Sequence, residues 1–250
     1  VTDVRILGIG DLSETTSGME RNGKNLVLSP GFIDVHTHDD RALLSTPTLD
    51  FKVSQGVTTV VTGNCGISLA PLSGQEIPPP LDLIATEPSQ LFAKFSHYLE
   101  ALDLEPPAVN TAALVGHSTL RIDSMQDLQR PASNNETNMM KQKLEKSLEA
   151  GAIGFSTGLA YQPASHASTE EVISLAKSLR SVKSVHTTHM RNEGNFIKDS
   201  LEETFQIGLE AEVPIVISHH KVGGKANFGR SKETLAMIDS ARKRQPLTFD

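Results

Sequence analysis

Four apolar, β-branched runs in this chain each end on a side chain that can ligate a metal, and that recurrence limits what it can fold into. His36 and His38 close Gly31-Phe-Ile-Asp-Val-His-Thr-His38, and Cys65 follows Val57-Thr-Thr-Val-Val-Thr-Gly-Asn64. His189 ends Val185-His-Thr-Thr-His189, and His219 ends Val213-Pro-Ile-Val-Ile-Ser-His219. Residues two apart on a strand share a face, so His36 and His38 can reach one cavity while Thr37 points away. A His-x-His pair alone is more often a solvated turn; the agreement of four strand ends gives it weight. A thiolate with neutral imidazoles is the donor set that a borderline-soft ion such as zinc prefers. Ligands drawn from several strand ends predict a parallel sheet or barrel with a metal centre at one end.

The rest of the chain fits that frame. Strands are predicted near 32–36, 57–62, 110–116, 151–156, 184–189, 213–218 and 246–249, separated by helices near 41–55, 89–102, 135–150, 169–181, 198–211 and 231–244. Thr169-Glu-Glu171, for example, puts acidic residues in a first turn ahead of Val172, Leu175, Ala176 and Leu179, which share one face. This alternation predicts a TIM-type (β/α) barrel over residues 30–250, since an open doubly wound sheet gathers its functional residues at a single crevice. Only seven barrel strands are found, so the barrel is expected to be truncated before its last strand. Short strands over Val4–Gly10 and Asn25–Leu28, joined by a polar loop, assign residues 1–29 to part of a small flanking β domain. The proline-rich stretch from Ile77 to Pro88 is expected to be a loop, placed to cover the cavity.

Composition narrows the partners. At 250 residues with 38% hydrophobic content the chain can bury a full core, while a net charge of −7 and 4% aromatics argue against a nucleic-acid surface. No apolar run is long enough to cross a bilayer, so small soluble substrates are expected. The single cysteine cannot form an internal disulfide, which makes a reducing, cytoplasmic setting the expectation. The chain opens on Val1, and the lack of a targeting segment there carries little weight.

With those residues in place, the sequence resembles the amidohydrolase superfamily, and within it the N-acyl-D-amino-acid deacylase (D-aminoacylase) branch. Pro30-Gly-Phe-Ile-Asp-Val-His-Thr-His-Asp-Asp40 carries the superfamily pattern. Gly63-Asn-Cys-Gly66 within 56–66, Gly154-Phe-Ser-Thr-Gly-Leu-Ala-Tyr-Gln-Pro163, His189-Met-Arg-Asn-Glu-Gly194 and Ser218-His-His-Lys221 narrow it to the branch. The resemblance implies a tightly held zinc on Cys65, His189 and His219, a weaker second metal position on His36 and His38, and Lys221 facing a substrate carboxylate. The cysteine would replace the carboxylated lysine that bridges two metals elsewhere in the superfamily. The implied reaction is zinc-dependent hydrolysis of N-acyl-D-amino acids. The family's catalytic aspartate follows an eighth strand and has no counterpart here. Asp250 matches an aspartate at the end of strand seven, and the chain is expected to be a fragment.

Competing readings remain at this point. Gly154-Phe-Ser-Thr-Gly158 fits the Gly-x-Ser-x-Gly elbow of serine hydrolases, but that motif needs a helix directly after the serine, and Gly158 and Pro163 predict a loop. A non-catalytic amidohydrolase-like scaffold is the alternative function, because the catalytic aspartate is missing. A scaffold has no need, however, for the thiol and four histidines together. His220 is expected to face the helices in a hydrogen-bonded structural role. His117 stands between pocket lining and a satisfied buried group. Arg191 and Glu193 either form an ion pair or orient ligands.

Overall fold

A computed structural model of the chain describes residues 5–74 and 76–250, and the chain divides into two compact units, Val1–Pro30 and Gly31–Asp250. In the first unit the described residues form no strand beyond an isolated bridge residue at Arg5. The strands expected over 5–10 and 25–28 are therefore absent there, and Val4 lies outside the described residues. Two short strands with a long polar loop are marginal without a further strand or helix to cover one face.

The second unit is a parallel sheet of seven strands paired in sequence order: β1 (Phe32–Asp34), β2 (Val57–Thr62), β3 (Asn110–Gly116), β4 (Gly154–Gly158), β5 (Val185–His189), β6 (Ile215–Ile217) and β7 (Leu247–Phe249). Connections run through α1 (Asp40–Ser45), α2 (Asp50–Val53), α3 (Phe95–Leu104), α4 (His117–Ser124), α5 (Asn134–Glu149), α6 (Thr169–Ala176), α7 (Ile197–Ala211) and α8 (Ser231–Ala241). Six strand spacings would hold β1 and β7 about 29 Å apart in a flat sheet. Instead His36 Nδ1, just past β1, lies 3.4 Å from Asp250 Oδ2, just past β7. The sheet is thus curled until its two edges approach at the C-terminal end, the architecture of an incomplete (β/α) barrel.

The core lies between the outer face of the sheet and the helices. Leu114, Phe155, Ile215 and Ile217 are buried from the sheet, and Met140, Leu144, Val172, Leu175, Leu201 and Ile238 from the helices. α7 sits so close to β6 that a Cβ on Gly208 would fall 2.7 Å from Ile215 Cγ1. Sequence caps start two of these helices: Ser133 and Glu136 form a reciprocal capping box on α5, and Ser168 accepts from Glu171 N on α6.

Several helices differ from the sequence reading: the one expected over 89–102 begins only at Phe95, and the one expected over 169–181 is α-helical only to Ala176. The helix expected over 41–55 splits into α1 and α2, because Pro47 has no N–H to donate and keeps Thr46 out of the helical region. α4 was not anticipated, because Ser118, Thr119 and Arg121 lie buried beside Leu120 and no apolar period marks the helix.

Candidate metal centre

The loops that leave the strands carry the predicted ligands to one mouth. Cys65 stands three residues past β2 and adopts φ 52°, and His219 stands two past β6 at φ 38°. Both are left-handed conformations that side chains with a Cβ seldom take. At Cys65 the flanking glycines explain the turn: a Cβ on Gly63 would sit 2.2 Å from Leu114 O, and one on Gly66 would sit 2.7 Å from Gly158 N. The Gly-Asn-Cys-Gly turn therefore lies against the backbones of β3 and β4 more closely than any other residue permits. Ser156 holds it there, accepting from Gly66 N at 3.0 Å and donating to Gly63 O. Fully buried and committed to those bonds, Ser156 is no nucleophile.

At His219 the same backbone feature changes the outcome. Ile215 and Ile217 face the helices, so strict alternation would turn His219 outward as well. The left-handed turn swings its ring into the mouth and sends His220 outward, where Nε2 lies 3.0 Å from Thr234 Oγ1 on α8.

Cys65 Sγ is the hub. It lies 3.3 Å from His36 Nε2, 3.5 Å from His219 Nε2 and 3.9 Å from His189 Nδ1. Sulfur and nitrogen ligands of one tetrahedral zinc, at about 2.3 and 2.0–2.1 Å from the ion, stand about 3.5 Å apart. The spacing fits a shared ion. Among the described residues two compact ligand groups arise, His36 with Cys65 and His219, and His189 with Glu193 and His219. His38 belongs to neither; its ring centroid lies 5.6 Å from that of His36, and it lines the cavity beside them. Distance alone ranks His36 nearer the sulfur than His189.

Electrostatics suit metal binding. Burial pushes the Cys65 thiol up to about 12, with the carboxylates of Glu193 and Asp250 adding to the effect against Lys221. Burial also holds His189 down to about 4, opposed by Glu193. His38 is lowered by burial and then by His36 and His219. Neutral imidazole is the ligating form, and so raised a thiol ionises only with a cation beside it.

Around this cluster lies a cavity of about 510 Å³ whose wall includes Ile67, Tyr161 and, from the proline-rich loop, Pro80 and Leu83. Tyr161 packs its ring 4.5 Å from that of His189. Lys221 reaches the cavity half-exposed, its Nζ 2.5 Å from Glu193 Oε2. Glu193, left between two roles by the sequence, faces the imidazoles: Oε1 lies 3.0 Å from His219 Nδ1 and Oε2 lies 3.5 Å from His189 Nε2. Arg191 instead pairs with Glu203 at 2.7 Å and donates to Ser165 O and Ala167 O, fixing the loop after β4. Asp250 accepts from His219 N at 2.5 Å and approaches His36 Nδ1. His117 is absent from the cavity wall; it is buried at the start of α4, 2.9 Å from Glu171. Pro80 and Leu83 lie in the stretch expected to cover the cavity, whereas Tyr161 went unassigned in the sequence reading, since nothing in its spacing ties it to the ligands.

Comparison with known proteins places this arrangement. Residues 20–239 match the model of the amidohydrolase family. A D-aminoacylase of Alcaligenes xylosoxydans xylosoxydans is 52% identical over 246 residues, which cover 98% of this chain and 51% of that protein. A D-aminoacylase structure described for the role of its binuclear metal centre, with one-metal activation and second-metal attenuation, superposes with a TM-score of 0.95 at 54% identity, over 98% of this chain and 52% of that one. An N-acyl-D-glutamate deacylase from Bordetella bronchiseptica, complexed with zinc and a phosphonate mimic of the tetrahedral intermediate, gives 0.85 at 44% identity over 88% of this chain and 47% of that one. The chain spans about half the length of these relatives.

Proposed function

Because the chain belongs to the amidohydrolase family, we propose that it supplies the metal centre and part of the substrate pocket of a zinc-dependent hydrolase that converts N-acyl-D-amino acids to a D-amino acid and a carboxylate. The observation that carries the reading is the convergence of three histidines, each at or past the end of a different strand, on Cys65 Sγ past a fourth, at 3.3, 3.5 and 3.9 Å. In this reading Cys65, His189 and His219 hold the tight zinc, and His36 with His38 forms a weaker second position. Bound zinc lowers the pKa of a coordinated water to about 7 and polarises an amide carbonyl.

The chain's own residues do the rest of the work assigned here. Lys221 offers an ammonium to the substrate carboxylate at the rim, and Ile67, Leu83 and Tyr161 exclude water from one wall. The resemblance puts the proton acceptor on an aspartate after an eighth strand, which residues 1–250 do not contain. Of the carboxylates near the ligands, Glu193 and Asp250 are both turned toward imidazoles. From the sequence pattern alone, residues 1–29 are assigned to part of a small flanking β domain, although their described residues form no strand beyond the bridge at Arg5.

The protein that carries this sequence should hydrolyse N-acetyl-D-methionine and spare its L enantiomer. A chelator should abolish turnover and zinc should restore it. Equal turnover of both enantiomers, or turnover indifferent to the chelator, rejects the assignment.

A further inference from the structure

Glu193 occupies a position that the proposed chemistry does not use. Its two oxygens face the far nitrogens of two histidines whose near nitrogens face Cys65. His219 turns Nε2 to the sulfur and Nδ1 to Glu193 Oε1, at 3.5 and 3.0 Å. His189 is reversed, with Nδ1 toward the sulfur at 3.9 Å and Nε2 toward Glu193 Oε2 at 3.5 Å. Glu193 Oε1 is buried without a hydrogen-bond partner, and the nearest group able to donate to it is His219 Nδ1, 3.0 Å away. A neutral imidazole ligates through one nitrogen only if its proton sits on the other.

A competing donor makes the tautomer a real choice. Lys221 Nζ lies 2.9 Å from the same Nδ1 of His219. An ammonium can only donate, so pairing with it would move the ring proton to Nε2, pointing N–H at Cys65 and removing His219 from the ligand set. A carboxylate can only accept and draws the proton to Nδ1. By engaging Lys221 through Oε2 at 2.5 Å, Glu193 also gives that ammonium another acceptor.

Resting on the metal reading above, we propose that Glu193 is a positioning residue that fixes His219 and His189 in opposite tautomers, Nδ1–H and Nε2–H, so that both present a lone pair to one ion beside Cys65. Partners of this kind typically change metal affinity 10- to 100-fold.

The test compares the wild-type chain with Glu193→Gln, reading histidine tautomers by long-range nitrogen-15 NMR and zinc affinity by competition with a chromophoric chelator. Wild type should show His219 as Nδ1–H with and without zinc. In Glu193→Gln the neutral amide no longer holds the Lys221 ammonium, which is left to donate to Nδ1, so His219 should turn to Nε2–H in the metal-free protein, and zinc affinity should fall about 10- to 100-fold. An unchanged His219 tautomer, or affinity within about twofold, overturns the proposal. Nε2–H in zinc-loaded wild type also overturns it, since the ion would then sit on Nδ1 with Glu193 as a ligand. Should Glu193→Gln fail to fold, Lys221→Met gives the converse test: Nδ1–H must persist there, and Nε2–H overturns the proposal. None of these readouts involves turnover, so failure of the deacylase reading leaves the tautomer result standing.

Discussion

His186 and His189 lie three residues apart on β5, and the pleat sends them to opposite faces of the sheet. On the inner side His189 joins His36, His219 and Cys65 around shared space. On the outer side His186 lies buried with Nε2 3.1 Å from Thr157 Oγ1, its ring 5.4 Å from Phe155, which also packs on His117. There the carboxylate is paired off: Glu171 accepts from Arg121 at 2.5 and 2.7 Å and from Ala132 N at 3.0 Å, with His117 Nε2 at 2.9 Å, while His117 Nδ1, His186 Nδ1 and Arg121 Nε stay unpartnered. Similar residues thus make a centre whose near nitrogens converge on one point, and an internal brace whose central carboxylate is already saturated. Residue type does not separate the two; the partners do.

The contrast is open to attack, most strongly at the brace. Arg121→Met leaves a buried carboxylate without its main cation and should cost about 3–5 kcal/mol of stability in urea unfolding, while the folded fraction keeps its zinc affinity. Loss of zinc affinity without loss of stability would show that the two clusters are not distinct. On the inner side Cys65→Ala should weaken zinc about 100-fold or more, beyond what removal of a supporting partner does. The double change His36→Ala with His38→Ala should remove only the weaker of two affinities in a zinc titration. If that pair abolishes the tight site, then His36, nearest the sulfur, belongs to it and the assignment of His189 must be revised.

A smaller effect sharpens the outer side. Burial holds His186 down to about 3 against an ordinary value of 6.5. As pH falls below 6.5 the unfolded chain takes a proton that the folded chain refuses, so stability declines between pH 6.5 and about 3 and is fully present above that window. Replacing His186 by Gln should flatten this decline by about 2 kcal/mol between pH 7 and pH 5. A slope identical in both proteins would show that His186 is not the group responsible.

Much of this was legible along the chain. The seven strands were expected within a few residues of where they stand, because short apolar, β-branched runs bounded by turn formers leave few other structures. The same runs marked all five predicted ligands as strand-end residues, since each terminates its run. α4 escaped notice because its buried face is half polar, and burial of Arg121 becomes favourable only once Glu171 is brought from α6.

The sequence by itself therefore determined the (β/α) order, the strand ends on which ligands stand and the donor set's preference for a zinc-like ion. These follow from local periodicity and side-chain chemistry. Only the tertiary structure decided which way the decisive side chains turn. His219 enters the mouth because its backbone leaves the strand at φ 38°, against the alternation that would have sent it outward. Glu193 turns toward two imidazoles, and Arg191, two residues before it, turns toward Glu203. Orientation of this kind depends on groups brought together from distant parts of the chain, and neighbouring residues hold no record of it.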